Sequence, residues 1–125
     1  MKRIILICLA LLATTWIVSA QQPAVIAADN ATWDFGEIAR TGGEVSHTFV
    51  INNRGGMPLV ITRILSSCGC TTTQWTREPI PAGGSGSIVI TYDPEEAPGP
   101  FVKTISVYSN GKAGSYILTV KGDVK

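Results

Sequence analysis

Two cysteines separated by one glycine are the residues of this chain best suited to do chemistry. They lie in the stretch SSCGCTT, residues 66–72, as Cys68 and Cys70. In an extended strand the Cα atoms of residues i and i+2 are about 6.6 Å apart, at the upper edge of the range that a disulfide bridges. A bond between the two sulfurs therefore requires a sharp bend. We expect Gly69 to permit that bend because glycine adopts unusual backbone angles at little steric cost.

This spacing leaves several interpretations of the pair open. The cysteines form a local disulfide that shapes a loop for a partner, or they pack as two reduced thiols. Alternatively they act as a thiol–disulfide couple, bind a soft metal such as Cu(I) or Zn²⁺ as thiolates, or attach something covalently. A bridge across one residue would add little stability through chain entropy. Four residues of the same loop are candidate partner contacts: Ser66, Ser67, Gly69 and Thr71.

The other titratable residues do not suggest a catalytic site. The chain has a single histidine, His47, within an alternating apolar segment, where we expect it to be half-buried and hydrogen-bonded. Without a second histidine, a catalytic triad or a zinc hydrolase site is difficult to build. Glu95 and Glu96 are adjacent and we expect them to be solvated. We therefore predict that the protein is not an enzyme and holds no cofactor.

The first 20 residues have the pattern of a secretory signal peptide. Lys2 and Arg3 precede an apolar run that ends in the short side chains of Val18-Ser19-Ala20. An uncleaved membrane anchor is the alternative, since the run from Ile4 to Ala20 is at the lower edge of the ~17–25 residues that span a bilayer. With cleavage, the mature protein is periplasmic or secreted and does not span the membrane. In that oxidising compartment paired thiols are more often bonded than free.

The charge balance argues against a nucleic-acid or anionic-membrane surface. Cleavage after residue 20 would remove two of the ten basic residues and none of the nine acidic ones, and no basic run remains. Residues 21–125 suffice for one domain with its own core. We place an N-terminal linker at residues 21–30 and the domain at residues 31–125.

Apolar alternation and turn residues predict an all-β domain of about seven short strands. In EVSHTFVIN, residues 44–52, Val45, His47, Phe49 and Ile51 share one face, and SIVITYD, residues 87–93, alternates similarly. The run LVITRIL, residues 59–65, is typical of a strand that is buried on both sides or carries a bulge. ATWDF, residues 31–35, should be a first strand that ends at Gly36. Strands at this spacing favour an antiparallel β-sandwich of immunoglobulin type over a small barrel.

Four short motifs lie along the chain: DFG at residues 34–36, CGCT at residues 68–71, PIPAGG at residues 79–84 and GPF at residues 99–101. Together they make the sequence resemble a bacterial family, the domain of unknown function 1573. The resemblance covers residues 32–124 and implies an immunoglobulin-like sandwich in an exported bacterial protein. The pattern F.I.N.G..PL.I, residues 49–61, is also similar to the major-sperm-protein and PapD-like sandwiches, at the level of fold only. The family resemblance implies no activity.

These observations lead to two functional hypotheses. The first is a non-catalytic binding or scaffold module of the cell envelope, whose partner is a protein or another envelope component. Its expected contact segments are SSCGCTT and the proline-rich EEAPGPF, residues 95–101, because loops carry recognition on rigid scaffolds. The second is a thiol-redox or soft-metal (copper) handling protein that uses Cys68 and Cys70.

Overall fold

Eight β-strands make up most of the computed structural model, which describes residues 22–125. The signal peptide predicted for residues 1–20 lies outside the described residues. The strands are β1 (Ile26–Ala28), β2 (Thr32–Ile38), β3 (Val45–Asn53), β4 (Ile61–Ser66), β5 (Thr71–Trp75), β6 (Ser85–Tyr92), β7 (Gly99–Ser109) and β8 (Ser115–Val124). A 3-10 turn, Pro94–Glu96, lies between β6 and β7.

The strands form two four-stranded sheets, which confirms the predicted sandwich. One sheet has the order β1-β3-β6-β5 and the other has the order β2-β8-β7-β4. Neighbouring strands are antiparallel except for β2 and β8, which run parallel. The domain has one strand more than expected, because β1 forms within residues 21–30, which the sequence suggested were a linker. Ile26 and Ala28 pair with the end of β3, and Ala24 just before them is buried.

The inward faces of both sheets build the main core, as the alternation predicts. In β3 and β6 the side chains of Phe49, Ile51, Ile88 and Ile90 are at most 1% exposed. The facing sheet contributes a matching set of aliphatic side chains from β4, β7 and β8: Ile61, Ile64, Ile105, Val107, Leu118 and Val120. Burying side chains of this size contributes about 1.5–3 kcal/mol each, so this layer dominates the stability of the domain.

Two strands carry bulges, and one of them changes a strand boundary. In β4 the pairing with β7 shifts between Ile61 and Arg63, as the continuous apolar run suggested. In β2 the pairing with β8 shifts between Asp34 and Glu37, where Gly36 has a φ of 70°. The prediction that the first strand ends at Gly36 is therefore wrong. Glycine accommodates the positive φ within the bulge, so the strand continues to Ile38.

One end of the sandwich gathers the connections that matter for the site. The β2–β3, β4–β5 and β6–β7 loops all lie there, together with the end of β8. A second, smaller apolar cluster closes this end beneath the loops. Its buried members are Cys70, Tyr92, Phe101 and Val124. We call this end of the molecule the disulfide end, because Cys68 and Cys70 are bonded there.

Candidate functional site

Cys68 and Cys70 are joined by a disulfide in the turn that carries the chain from one sheet to the other. Their Cα atoms are 5.2 Å apart, nearer than in an extended strand. The turn follows β4, an edge strand of one sheet, and precedes β5, an edge strand of the other. We refer to residues 66–71 as the disulfide turn.

Hydrogen bonds from three hydroxyl side chains hold the disulfide turn. Ser66 Oγ accepts a bond from the Cys68 amide at 3.2 Å and also contacts Thr71 Oγ1, which donates to the Cys68 carbonyl at 2.9 Å. Ser67 binds β7 twice, because its amide donates to the Thr104 carbonyl and its Oγ accepts from the Thr104 amide. Three of the four residues proposed as contacts, Ser66, Ser67 and Thr71, therefore have structural bonds within the domain.

The two sulfurs lie in different surroundings. Cys70 is only 8% exposed and packs in the small cluster with Tyr92 and Phe101, whose rings stack with centroids 4.0 Å apart. Cys68 is half-buried at the edge of that cluster, and its Sγ accepts a hydrogen bond from the Cys70 amide at 3.1 Å. The solvent therefore reaches the bond from the Cys68 side.

Gly69 is exposed, and its φ angle does not by itself require a glycine at this position. Its φ is not positive, and a Cβ atom built on it would meet no heavy atom within 4 Å. The bridge therefore does not rely on a left-handed conformation of Gly69. Hydroxyl and amide bonds accompany the bend. Gly69 leaves exposed backbone in the turn.

The structure brings the two predicted contact segments together at the disulfide end. The Asp93 amide donates to the Cys70 carbonyl at 2.9 Å, and Phe101 packs against Cys70. Asp93 caps the 3-10 turn that follows, because its side chain accepts a bond from the Glu95 amide. Glu95 and Glu96 are exposed, as expected.

Sequence reasoning missed one segment of this end, the β2–β3 loop. The Arg40 guanidinium donates to the Glu95 carbonyl at 3.5 Å, so residues 39–44 adjoin the proline-rich segment. Lys125 also lies at this end, where its ammonium is 3.1 Å from Asp123 and 3.9 Å from Glu37. These carboxylates raise the pKa of Lys125. Only the order of strands in space, which no local motif specifies, brings these residues together.

Neither of the arginines near the cysteines in sequence is directed at the sulfurs. The Arg63 guanidinium lies over the Tyr108 ring at 4.4 Å, and that of Arg77 lies over the Trp75 ring at 3.6 Å. Such stacking directs the charge to a ring face. Burial, followed by the charges of Glu96 and Asp93, raises the pKa of Tyr92 beneath the turn.

His47 lies away from the turn, where it bridges the two sheets at the opposite edge. Its ring stacks on Trp33 of β2 with centroids 4.0 Å apart and meets Phe49 edge-on at 4.7 Å. Burial lowers the pKa of His47, so its neutral form is favoured. Within residues 22–125 no group of three His, Cys, Asp or Glu side chains is placed to hold a metal ion. In the same residues, no helix has the length and apolar character that would cross a bilayer.

A family model establishes the relationships of the chain. The model described as protein of unknown function, DUF1573, matches residues 26–124. The chain belongs to the DUF1573 family. This result confirms the resemblance that the sequence motifs carry. The curated proteins include no match to this DUF1573 protein.

Solved structures resemble the fold of this DUF1573 protein. A protein of unknown function from Porphyromonas gingivalis W83 is similar with a TM-score of 0.73 and 24% identity, over 85% of this chain and 49% of that chain. This chain therefore spans about half the length of that relative. WR4, a C. elegans MSP family member, has a TM-score of 0.54 and 14% identity over 82% of this chain and 99% of its own. The YadV chaperone has a TM-score of 0.54 and 14% identity over 80% of this chain and 51% of its own. At these identities the likeness shows the fold alone.

Proposed function

We propose that this protein is an exported, non-catalytic binding or scaffold module of the bacterial cell envelope, and that it meets its partner at the disulfide end. The observation that carries the proposal is the convergence of the disulfide turn and the proline-rich segment on one end of a rigid sandwich. Exposed loops on a rigid scaffold are where binding sites concentrate. The partner that we propose is a protein or another envelope component.

The placement of the titratable side chains supports binding rather than catalysis. His47 stacks on Trp33 and meets Phe49 edge-on, and the exposed Glu95 and Glu96 lie on a 3-10 turn. The Trp33 ring covers one face of the His47 imidazole, so this side chain packs between the two sheets.

A photo-crosslinking residue placed at each end of the sandwich tests the proposed contact surface. At Gly69 the probe should yield discrete adducts with an envelope component in intact cells, because added atoms there meet open space. The matched control is Ala113, an exposed loop position at the other end of the sandwich. Equal adduct patterns from both positions, or none from Gly69, would contradict a contact at the disulfide end.

Export rests on the signal-like N-terminus and on the disulfide, which an oxidising compartment favours. Intact-mass measurement of protein from its native cells examines both features at once. We expect a chain that begins at residue 21 and is two hydrogens lighter than its dithiol form. A full-length chain with free thiols would place the protein elsewhere.

A thiol-redox role is the second candidate, and the half-buried position of Cys68 is what favours it. A partner dithiol would supply the electrons. Its first thiolate attacks Cys68 Sγ, the S–S bond breaks, and Cys70 leaves as a thiolate that takes up a proton. The second partner thiol then displaces Cys68, which leaves a partner disulfide and the Cys68–Cys70 dithiol. That dithiol is also the form that would bind a soft metal such as Cu(I).

Controlled reduction distinguishes this candidate from the binding module. With glutathione as the probe, a redox role requires a mixed disulfide that maps to Cys68, and it requires that Cys68→Ser abolish both exchange and Cu(I) uptake. The burial of Cys70 opposes this reaction, because a thiolate in an apolar cluster is a poor leaving group. A bond that resists glutathione, in a chain that takes up no Cu(I), would leave the binding role alone.

A further inference from the structure

β5 differs from the other three edge strands of the sandwich because it carries none of the features that normally prevent edge pairing. Such features are short length, bulges, charged side chains and proline. β1 has three residues, β2 has a bulge flanked by Asp34 and Glu37, and β4 has a bulge at Arg63. β5 is the sequence TTTQW, which pairs with β6 over its whole length without a shift.

The backbone of β5 presents unpaired hydrogen-bonding groups to the solvent. The Cys70 carbonyl accepts from Asp93 and the Thr76 amide donates to Ser87, so the even-numbered residues of this strand bond to β6. In an antiparallel ladder the alternate residues then point their amides and carbonyls away. For Thr73 and Trp75 no backbone bond from elsewhere in residues 22–125 reaches this outer edge.

We propose that β5 pairs antiparallel with β5 of a second copy of this chain, about a two-fold axis at Thr73. This register sets Thr73 opposite its own copy and Thr71 opposite Trp75. It joins the β5-containing sheets of the two copies into one sheet of eight strands. About four new backbone hydrogen bonds would form, from the Thr73 and Trp75 amides of each copy. The Thr71 amide takes no part because it already donates to the Cys68 carbonyl.

The side chains of β5 favour a second copy as the occupant. The axis brings the exposed side chains of Thr72 and Gln74 together across the interface, and neither is charged, so no like charges meet. An identical edge also matches itself about the two-fold axis, because the outward amide and carbonyl of Thr73 in each copy meet the carbonyl and amide of Thr73 in the other.

Two matched double variants test both the dimer and its register. In Thr72→Lys with Gln74→Glu, opposite charges meet across the proposed axis, whereas in Thr72→Lys with Gln74→Lys like charges meet. Both pairs lie on the exposed face of β5, so the fold of the single chain should tolerate either. Two such pairs form per dimer, so we expect the dimer dissociation constant to fall roughly two- to thirty-fold in the first variant and to rise by a similar factor in the second.

Sedimentation equilibrium on the wild-type chain residues 21–125 supplies the reference, from micromolar to millimolar concentrations because a single pair of strands is a small interface. Thr73→Pro removes a central donor without breaking the ladder to β6, and it should leave a folded monomer. Circular dichroism checks that this variant is folded. If the variant unfolds, the two charged double variants still decide the test. A wild type that stays monomeric at 1 mM, or equal association of the two double variants, would overturn the proposal. If the protein stays monomeric and an envelope protein binds at β5, the edge pairs with a different chain and the dimer proposal is overturned.

Discussion

At the scale of single residues, two glycines at the disulfide end differ in whether packing requires them. Gly122 lies in β8, where a Cβ would stand 2.9 Å from the Phe101 ring and 3.0 Å from the Gly36 carbonyl. Gly69 has no such neighbour and no positive φ. The first glycine is therefore required by packing within the domain, and the second is not.

Alanine at these two glycines should separate the roles. Gly122→Ala forces the Phe101 ring or the β2 bulge to move, and we expect it to lower the free energy of unfolding by about 1–3 kcal/mol. Gly69→Ala should be neutral or stabilise the domain by up to about 1 kcal/mol, because it restricts the unfolded chain. Urea denaturation measures both. A large loss in Gly69→Ala would show that the turn needs glycine for folding.

Asn53 is the one buried side-chain amide, at 1% exposure, among the core residues of the described chain. Its Oδ1 accepts from the Gly55 amide at 3.0 Å and the Val25 amide at 3.3 Å. Its Nδ2 donates to the carbonyls of Met57 at 2.6 Å and Ile80 at 3.0 Å. One side chain thus joins the N-terminal segment, the β3–β4 turn and the β5–β6 loop.

Removing this amide should cost far more than removing its neighbour. Asn53→Ala leaves buried amides and carbonyls without partners, so we expect a loss of about 3 kcal/mol or more in the free energy of unfolding. Asn52→Ala is the matched control, since the Asn52 bonds to Asp29 and Ser85 lie at the surface and should contribute about 1 kcal/mol or less. Thermal and urea unfolding compare the two. Similar losses in the two variants would mean that Asn53 does not hold these three segments together.

At the scale of elements, the Trp33–His47 stack ties β2 of one sheet to β3 of the other. Trp33 covers one face of the imidazole and Phe49 meets it edge-on, and this partial burial lowers the pKa of His47 from its ordinary 6.5. Below that ordinary value the unfolded chain binds a proton at His47 that the folded chain resists. The contribution of His47 to stability is therefore present above pH 6.5 and declines as the pH falls through the lowered value.

Unfolding measured from pH 7.5 to pH 5 should show this dependence. We expect the wild type to lose stability as the pH falls, and His47→Phe to show a flatter profile because it keeps an aromatic ring without a titrating nitrogen. His47→Gln serves as a control that removes both the ring and the charge. If His47→Phe follows the wild-type profile, another group is responsible for the pH dependence.

Local patterns predicted the paired strands better than the irregular elements. The alternation in β3 and β6 placed Phe49, Ile51, Ile88 and Ile90 on the inward faces where they lie. β1 could not be predicted, because three residues are too few for an alternation and the strand depends on the free end of β3. The parallel pairing of β2 with β8 joins Thr32 to Thr119, and adjacency in sequence says nothing about such a distant pair.

At the scale of the whole molecule, the candidate site depends on topology more than on its motif. The sequence identified Cys68 and Cys70 and left their state open, since the spacing is compatible with a bond, free thiols or a bound metal. The different burial of the two sulfurs comes from Tyr92 and Phe101, which belong to two strands in different sheets. Only the closing of both sheets over one end creates that difference.

The whole sandwich should exchange its amide hydrogens in a pattern set by this layering. Amides of Ile90, Val107 and Leu118 lie in the inner strands of the two sheets, so we expect them to exchange only through global unfolding. In β5 the pattern should alternate in dilute solution: Thr72 is protected by β6, whereas Thr73 and Trp75 exchange rapidly from the free edge. If a second copy covers that edge, the last two amides become protected as the concentration rises, while Thr72 does not change. Uniform protection along β5 at every concentration would contradict the free edge on which the dimer depends.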